Sequence, residues 1–185
     1  MLKILGGIFK GIYIKTSHKI PYRPITSSLR KSFFDYLNDF IKDKIFVDAF
    51  AGTGIVGLEA YSRGATFITF IDSNKEAISL INKNIKALNI TSSIALPYKI
   101  EFVISKNLLP LTSDIIFLDP PYRYPKAKLE NLLNLILKSS ILNKNAVLAV
   151  RYEKCFGKLN YNTNSLELIK EFIISEAFLD IYSSL

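Results

Sequence analysis

From residue 45 onward the chain repeats one pattern. A short apolar run is followed by a turn, and then by apolar residues at helical spacing. Ile45-Phe46-Val47 opens the series as a buried strand, and Gly52 to Gly54 form its turn. Residues 55–63 predict a helix ended by Gly64. Residues 67–71 predict a second strand, ending at Asp72. Residues 74–88 predict a helix with Ala77, Leu80, Ile81, Ile85 and Leu88 facing inward. Residues 89–99 read as a loop, 100–104 as a third strand and 115–118 as a fourth. A helix over 129–137 and a fifth strand over 146–150 complete the alternation, which implies a parallel sheet with right-handed crossovers. Beyond Arg151 the pattern changes. Residues 153–164 are polar and loop-like, while 166–174 and 178–182 have the spacing of an antiparallel hairpin that closes the sheet. The expected fold is α/β with a seven-stranded, mostly parallel sheet.

The first quarter is patterned differently. Residues 2–15 mix β-branched and aromatic residues with Gly6, Gly7 and Gly11, which predicts a small β-hairpin whose turn either glycine group could form. Residues 16–25 form a basic linker containing prolines, His18, Tyr22 and Arg23. Thr26 or Ser27 can cap a helix running to about Phe40, with Leu29, Phe33, Tyr36, Leu37 and Phe40 expected in the core. The chain divides into a hairpin and linker, residues 1–25, and an α/β domain, residues 26–185.

Charge sharpens that division. Net charge is +8, and Lys3, Lys10, Lys15, Lys19, Arg23, Arg30 and Lys31 fall within residues 1–34, which hold no acid. Such segregation predicts a phosphate-binding face, with a solvated basic surface or an acidic membrane surface as the alternatives. Composition removes other classes. At 49% hydrophobic the chain has material for a core, yet no uncharged apolar run approaches the ~20 residues a membrane helix needs. One cysteine, Cys155, excludes an internal disulfide. One histidine, His18, argues against a histidine-rich metal site. A cytoplasmic protein without a metal is expected.

Candidate chemistry sits at strand ends. Asp48-Ala49-Phe50-Ala51-Gly52-Thr53-Gly54 follows the first strand and opens a helix, where glycines let backbone approach a ligand and the helix start offers N–H groups. Asp72, 20 residues beyond Gly52 and followed by Ser73, stands where an acid grips a ribose diol. A dinucleotide would use the helix start for its pyrophosphate. An acid at Asp48 repels that group and favours the cationic sulfonium and ammonium of S-adenosylmethionine. The fourth strand ends in Asp119-Pro120-Pro121-Tyr122. Two prolines stop the strand. The carboxylate of Asp119 and the carbonyl of Pro120 then suit an exocyclic NH2, and Tyr122 suits stacking on a planar base, worth roughly 1–3 kcal/mol. Arg123, Lys126 and Lys128 follow closely. A NAD-dependent oxidoreductase, a DNA adenine-N6 methyltransferase and a non-catalytic RNA-binding protein are the rival readings. The last gives no role to three acids at strand ends.

The glycine turn paired with Asp119-Pro120-Pro121-Tyr122 resembles the signatures of class I amino-group methyltransferases. Leu5-Gly6-Gly7, Phe9-Lys10-Gly11, Arg23-Pro24-Ile25-Thr26, Leu29-Arg30, Gly57-Leu58-Glu59-Ala60 and Ser62-Arg63-Gly64-Ala65 narrow the resemblance to the bacterial small-subunit (16S) ribosomal RNA guanine-N2 methyltransferases. That family's aspartate–arginine and arginine–glutamate pairs of the first helix stand here as Ser27-Ser28 and Arg30-Lys31. The resemblance implies a Rossmann-like class I fold over residues 26–185, S-adenosylmethionine as cofactor, and ribosomal RNA as partner, naked or in a small-subunit assembly particle. It implies Asp48, Ala49, Phe50, Ala51, Gly52, Thr53 and Gly54 around the methionine moiety. Asp72 and Ser73 fall at the ribose, Asn107 near the adenine, and Asp119, Pro120 and Tyr122 at the target guanine. Lys3, Lys10, Lys15, Lys19, Arg23 and Arg30 are the expected RNA contacts.

Overall fold

The computed structural model describes residues 2–17, 25–160, 165–174 and 176–185. The predicted α/β architecture holds. Strands β3 (Ile45–Ala49), β4 (Phe67–Ile71), β5 (Ser93–Leu96), β6 (Ser113–Leu118) and β7 (Leu142–Glu153) pair in parallel, and β8 (Leu166–Ile174) and β9 (Ala177–Ser184) extend the sheet antiparallel. The order across the sheet is β5-β4-β3-β6-β7-β9-β8. The chain runs outward from β3 to β5, then returns to the other side of β3 as β6. The gap between the C-terminal ends of β3 and β6 is therefore the topological switch point, where ligands bind in open α/β sheets.

Both sheet faces are covered, which is why the central strands read as continuous apolar runs. On one face, Phe46, Ile68, Phe70, Ile115 and Phe117 pack with Phe33 and Phe34 of α1 (Ser27–Leu37) and with Ile55 and Leu58 of α2 (Ile55–Ser62). Ile78 and Ile81 of α3 (Lys75–Ala87) join them. On the other face, Val47, Ile71, Ile116, Leu118 and Leu148 pack with α4 (Ile100–Ser105) and α5 (Lys126–Lys138). Thr26 caps α1 by accepting from Leu29 N at 3.2 Å, and Asn74 caps α3.

The third strand departs from expectation. Residues 100–104 form α4, and the strand is β5, inside the stretch read as a loop. Ile100, Val103 and Ile104 are buried while Phe102 is exposed, a helical spacing that a short β-branched run conceals. The edge strand β5 lacks a buried apolar run, and Ile94 is exposed. Helix α1 also ends earlier than expected, at Leu37, with a 3-10 turn at Asn38–Ile41. The buried set is Leu29, Phe33, Phe34 and Leu37, so Tyr36 and Phe40 lie on the surface rather than in the core.

The N-terminal hairpin exists as β1 (Leu2–Lys3) against β2 (Tyr13–Ile14), with Leu2 opposite Ile14. It is fastened to the α/β core rather than hung from it. Ile4 and Ile14 are buried. Ser62 Oγ donates to Gly6 O at 2.6 Å and accepts from Phe9 N at 2.9 Å, and Ile8 N donates to Ser62 O at 2.8 Å. Gly7 takes φ +75° against this edge, and a Cβ there would lie 1.6 Å from Ser62 O. Further along, Lys15 N donates to Asn84 Oδ1 at 2.9 Å, and Asn84 Nδ2 donates to Lys15 O at 3.1 Å.

Candidate active site

The loop after β3 turns sharply. Phe50, Gly52 and Gly54 have φ of 62°, 55° and 75°, and the glycines occupy this left-handed region without a Cβ penalty. Ala51 N donates to Ile71 O at 3.0 Å, which joins the loop to β4. Asp72 fastens the same loop from the next strand end. Its Oδ2 accepts from Gly52 N at 2.9 Å and its Oδ1 from Asn74 N at 2.8 Å. Asp48 is buried and points along the start of α2, where its Oδ2 accepts from Gly57 N at 2.9 Å. Burial pushes its carboxyl well above the usual range. The Gly57 bond opposes that rise, and the neighbouring Asp119 and Asp72 charges add to it. Three acids thus stand close together at these strand ends.

Two cavities open over these strand ends. One is lined by Phe50, Ala51, Gly52, Thr53, Asp119, Pro120, Tyr122 and Arg151, with Thr26 and Leu29 of the α1 region and Glu153 and Glu176 also on its wall. The other is lined by Asp72 and Ser73, by Tyr98, Lys99, Ile100 and Glu101 before and at the start of α4, and by Lys128 and Leu132 of α5. Phe50, Pro121 and Tyr124 line both. The Phe50 and Tyr124 rings meet edge-on at 5.3 Å, and Tyr124 Oη donates to Glu101 Oε1 at 2.9 Å. Burial and the Glu101 carboxylate push the Tyr124 hydroxyl upward, so it stays protonated.

Asp119 N lies 3.4 Å from Ala49 O, across the switch point. The register pairs Leu118 with Val150, which brings Arg151 beside Asp119. Arg151 Nη1 bonds both carboxylate oxygens, at 2.8 Å and 3.0 Å. Burial raises the Asp119 carboxyl, and the Arg151 guanidinium opposes that shift. Tyr122 is 64% exposed, so its ring faces outward rather than into the core. The Arg123 guanidinium lies 5.6 Å from the ring centroid.

The structure therefore gathers Phe50, Ala51, Gly52, Thr53, Asp72, Ser73, Asp119, Pro120 and Tyr122 around two adjoining cavities. Asp48, Ala49 and Gly54 lie behind the loop and line neither. Asn107 does not join them. It is exposed beyond the C-terminal end of α4 and lines neither cavity. Arg151 carries no signal in the sequence, since only the β6–β7 register reveals its neighbour.

The expected RNA contacts divide. Lys3, Lys10 and Lys15 are exposed on the hairpin. Lys19 and Arg23 lie outside the described residues. Arg30 is fully buried and cannot meet RNA as expected. Its Nε bonds Glu59 Oε2 at 2.6 Å, and its Nη2 donates to Lys3 O at 2.6 Å. Helix α1 rolls this side of the chain onto α2, so the arginine answers a buried glutamate instead of a phosphate. Among the described residues, no cluster of His, Cys, Asp or Glu is placed to hold a metal ion, and no helix is long and apolar enough to cross a membrane.

Comparison with known proteins agrees with this geometry. The sequence model of the family described as conserved hypothetical protein 95 matches residues 2–183. The chain is 34% identical over 157 residues to the ribosomal RNA small subunit methyltransferase D of Buchnera aphidicola (subsp. Acyrthosiphon pisum), covering 82% of this chain and 78% of that one. Among solved structures, the putative methyltransferase yhhF from Escherichia coli superposes with a TM-score of 0.85 at 26% identity, covering 99% of this chain and 97% of that one. A putative SAM-dependent methyltransferase from Streptococcus mutans shares the fold at a TM-score of 0.72 and 14% identity, over 86% of this chain and 49% of its own.

Proposed function

The chain belongs to the conserved hypothetical protein 95 family, and from that premise we propose that it transfers a methyl group from S-adenosylmethionine to the exocyclic N2 amine of a guanine in small-subunit ribosomal RNA. The observation that carries the reading is one cavity shared by Asp119, Pro120, an outward-facing Tyr122 and the Phe50–Thr53 loop.

The donor set fits this cofactor. Asp48 is buried with Asp119 and Asp72 near enough to raise its carboxyl further, and Arg151 answers Asp119 alone among these three acids. A sulfonium and an ammonium suit such a cluster of acids, whereas a pyrophosphate would add to the repulsion. The second cavity offers Asp72 and Ser73 for ribose hydroxyls, and Ile71, Ile100, Leu132 and Tyr124 as walls for an adenine. When bound, S-adenosylmethionine supplies an electrophilic methyl group.

The chain's own residues do the rest. The lone pair of guanine N2 is delocalised into the ring, which makes it a poor nucleophile. Hydrogen bonds from its two N–H groups to Asp119 and to the Pro120 carbonyl favour a pyramidal nitrogen and aim the lone pair. Tyr122 holds the base by its face once it has left the RNA stack. Positioning and electrostatics carry most of the catalysis. Asp119 need not be a strong base, because the methylated nitrogen loses its proton readily. Residues 1–25 serve the RNA, with Lys3, Lys10 and Lys15 on the exposed hairpin meeting phosphates.

The test is to incubate the protein with S-adenosylmethionine carrying a labelled methyl group and with small-subunit RNA from cells lacking the protein, both naked and as assembled particles. Label mapped to N2 of a guanine in either substrate supports the reading. Label on adenine N6, or on neither substrate, overturns it.

A further inference from the structure

We propose that Glu153 is a positioning residue for the target base: by holding the Tyr122–Arg123 turn, it sets where the stacking ring stands. The inference rests on the function proposed above and deepens it.

Tyr122 is 64% exposed, so little packing fixes its ring, and its place comes from its backbone. That backbone is a tight turn. Tyr124 N donates to Pro121 O at 2.9 Å, and Arg123 takes a φ of 63°. An arginine rarely adopts this left-handed region, so the turn keeps its shape only where its surroundings hold it. Beyond the ring, Tyr124 is anchored by Phe50 and Glu101. On the near side, Glu153 Oε1 accepts from Arg123 N. That amide belongs to the peptide unit joining Tyr122 to Arg123, so the carboxylate grips the backbone next to the ring.

The strand that supplies Glu153 outruns its neighbour. Leu118 ends β6 and pairs with Val150, while β7 continues to Glu153, which stands opposite Ala177 of β9. Residues two apart in a strand project to one side, so Arg151 and Glu153 meet the Asp119–Arg123 segment together. Arg151 bonds the Asp119 carboxylate, and Glu153 bonds the amide beyond Tyr122. One strand end therefore sets the spacing between the acceptor for the amine and the ring that stacks on the base. All four residues line the same cavity. Placing such groups on a rigid element keeps the productive geometry within narrow limits.

The experiment is a double-mutant cycle in RNA methylation, with wild type, Glu153→Ala, Tyr122→Ala and the double variant. Calorimetry with S-adenosylmethionine confirms that each variant is folded. Glu153→Ala is expected to raise KM for RNA several-fold, at most by the roughly tenfold that losing the ring costs, with kcat and cofactor affinity held. In the Tyr122→Ala background the same change is expected to add nothing, because the two residues act as one unit. Glu153→Gln keeps an acceptor for Arg123 N and is expected to recover most of the loss. The Arg123 amide should exchange its hydrogen slowly in the wild type. Costs that multiply in the double variant overturn the inference, since Glu153 would then act on RNA without Tyr122. A Gln variant as impaired as the Ala variant, or fast exchange at Arg123 in the wild type, also overturns it. The reading beneath is judged in the wild type alone: if no guanine N2 is methylated there, that reading fails and this inference with it.

Discussion

Arg30 and Arg151 each grip a carboxylate, at 2.6 Å and 2.8 Å, in opposite settings. The first pair is sealed beneath the N-terminal hairpin, with both side chains fully buried. Its surroundings are nearly complete. Arg30 also donates to Lys3 O, and the second oxygen of Glu59 takes Arg63, whose guanidinium lies 5.1 Å from the Phe34 ring centroid. One nitrogen, Arg30 Nη1, is left over, and neither cavity reaches it. The second pair is about one-fifth exposed, and both of its residues line a cavity. The same two functional groups therefore lock a fold at one place and line a cavity at the other. What separates them is whether the pair borders a space that a ligand can enter. Leu29-Arg30, Gly57-Leu58-Glu59-Ala60 and Ser62-Arg63-Gly64-Ala65 supply the first pair's setting, so these motifs fasten the hairpin to the core.

The contrast breaks most severely at Glu59. Removing one partner of a buried pair leaves an uncompensated charge, at a cost of about 3–5 kcal/mol. Glu59→Ala is expected to lower the unfolding free energy by that amount in denaturant titration, and to free the hairpin edge, which proteolysis near Gly7 would report. Asp119→Ala is expected to invert the outcome. Methyl transfer falls by about a hundred- to a thousandfold, the range for deleting one aligned electrostatic group, while calorimetry finds cofactor affinity retained. An active Asp119→Ala variant would remove that residue from the chemistry. If Glu59→Ala left stability intact, the division between lock and site would not stand.

Smaller effects sharpen the comparison within each region. The hairpin's inner edge is committed to packing, but Lys3, Lys10 and Lys15 on its surface are not. Replacing all three by Ala is expected to leave the melting temperature near that of the wild type. RNA affinity should then fall less steeply with salt, by about 0.7–0.9 in logarithmic slope for each phosphate no longer neutralised. In the cleft, Tyr122→Ala removes one stacking face. That raises KM for RNA by about tenfold, toward the lower end of base-stacking energies, with cofactor affinity unchanged.

How much of the molecule is legible in its sequence follows from what each feature depends on. Asp48, Asp72 and Asp119 stand out because a strand end is a local event: an apolar run stops and an acid follows. The glycine turn and the Pro120-Pro121 stop are equally local. Arg151 escapes notice because its meaning lies in a register, Leu118 beside Val150, that no single segment encodes. Arg30 misleads because a basic residue in a basic stretch looks solvated until α1 is rolled against Glu59. Residues 100–104 suggest the wrong period, because Ile100, Phe102, Val103 and Ile104 satisfy either pattern until burial is known.

The smallest expected effect concerns Asp48, which belongs to neither extreme. It is as buried as the hairpin lock, yet it has no cationic partner among its hydrogen bonds, only Gly57 N. Burial raises its carboxyl above the unfolded value of about 3.9. An acid whose folded form holds its proton more tightly contributes stability that is full below the unfolded value. That contribution is lost as pH rises through the folded one. The free protein should therefore lose stability over a window that starts near pH 4 and extends upward. Asp48→Asn, which can still accept from Gly57 N, should flatten that window and melt higher than the wild type at neutral pH. Saturating S-adenosylmethionine should narrow that difference, because the cofactor's positive charge, although it lies across the loop from Asp48, favours the ionised carboxylate and not the amide. A variant less stable than the wild type in both states would mean that the negative charge serves the fold itself, and Asp48 would join Glu59 on the structural side.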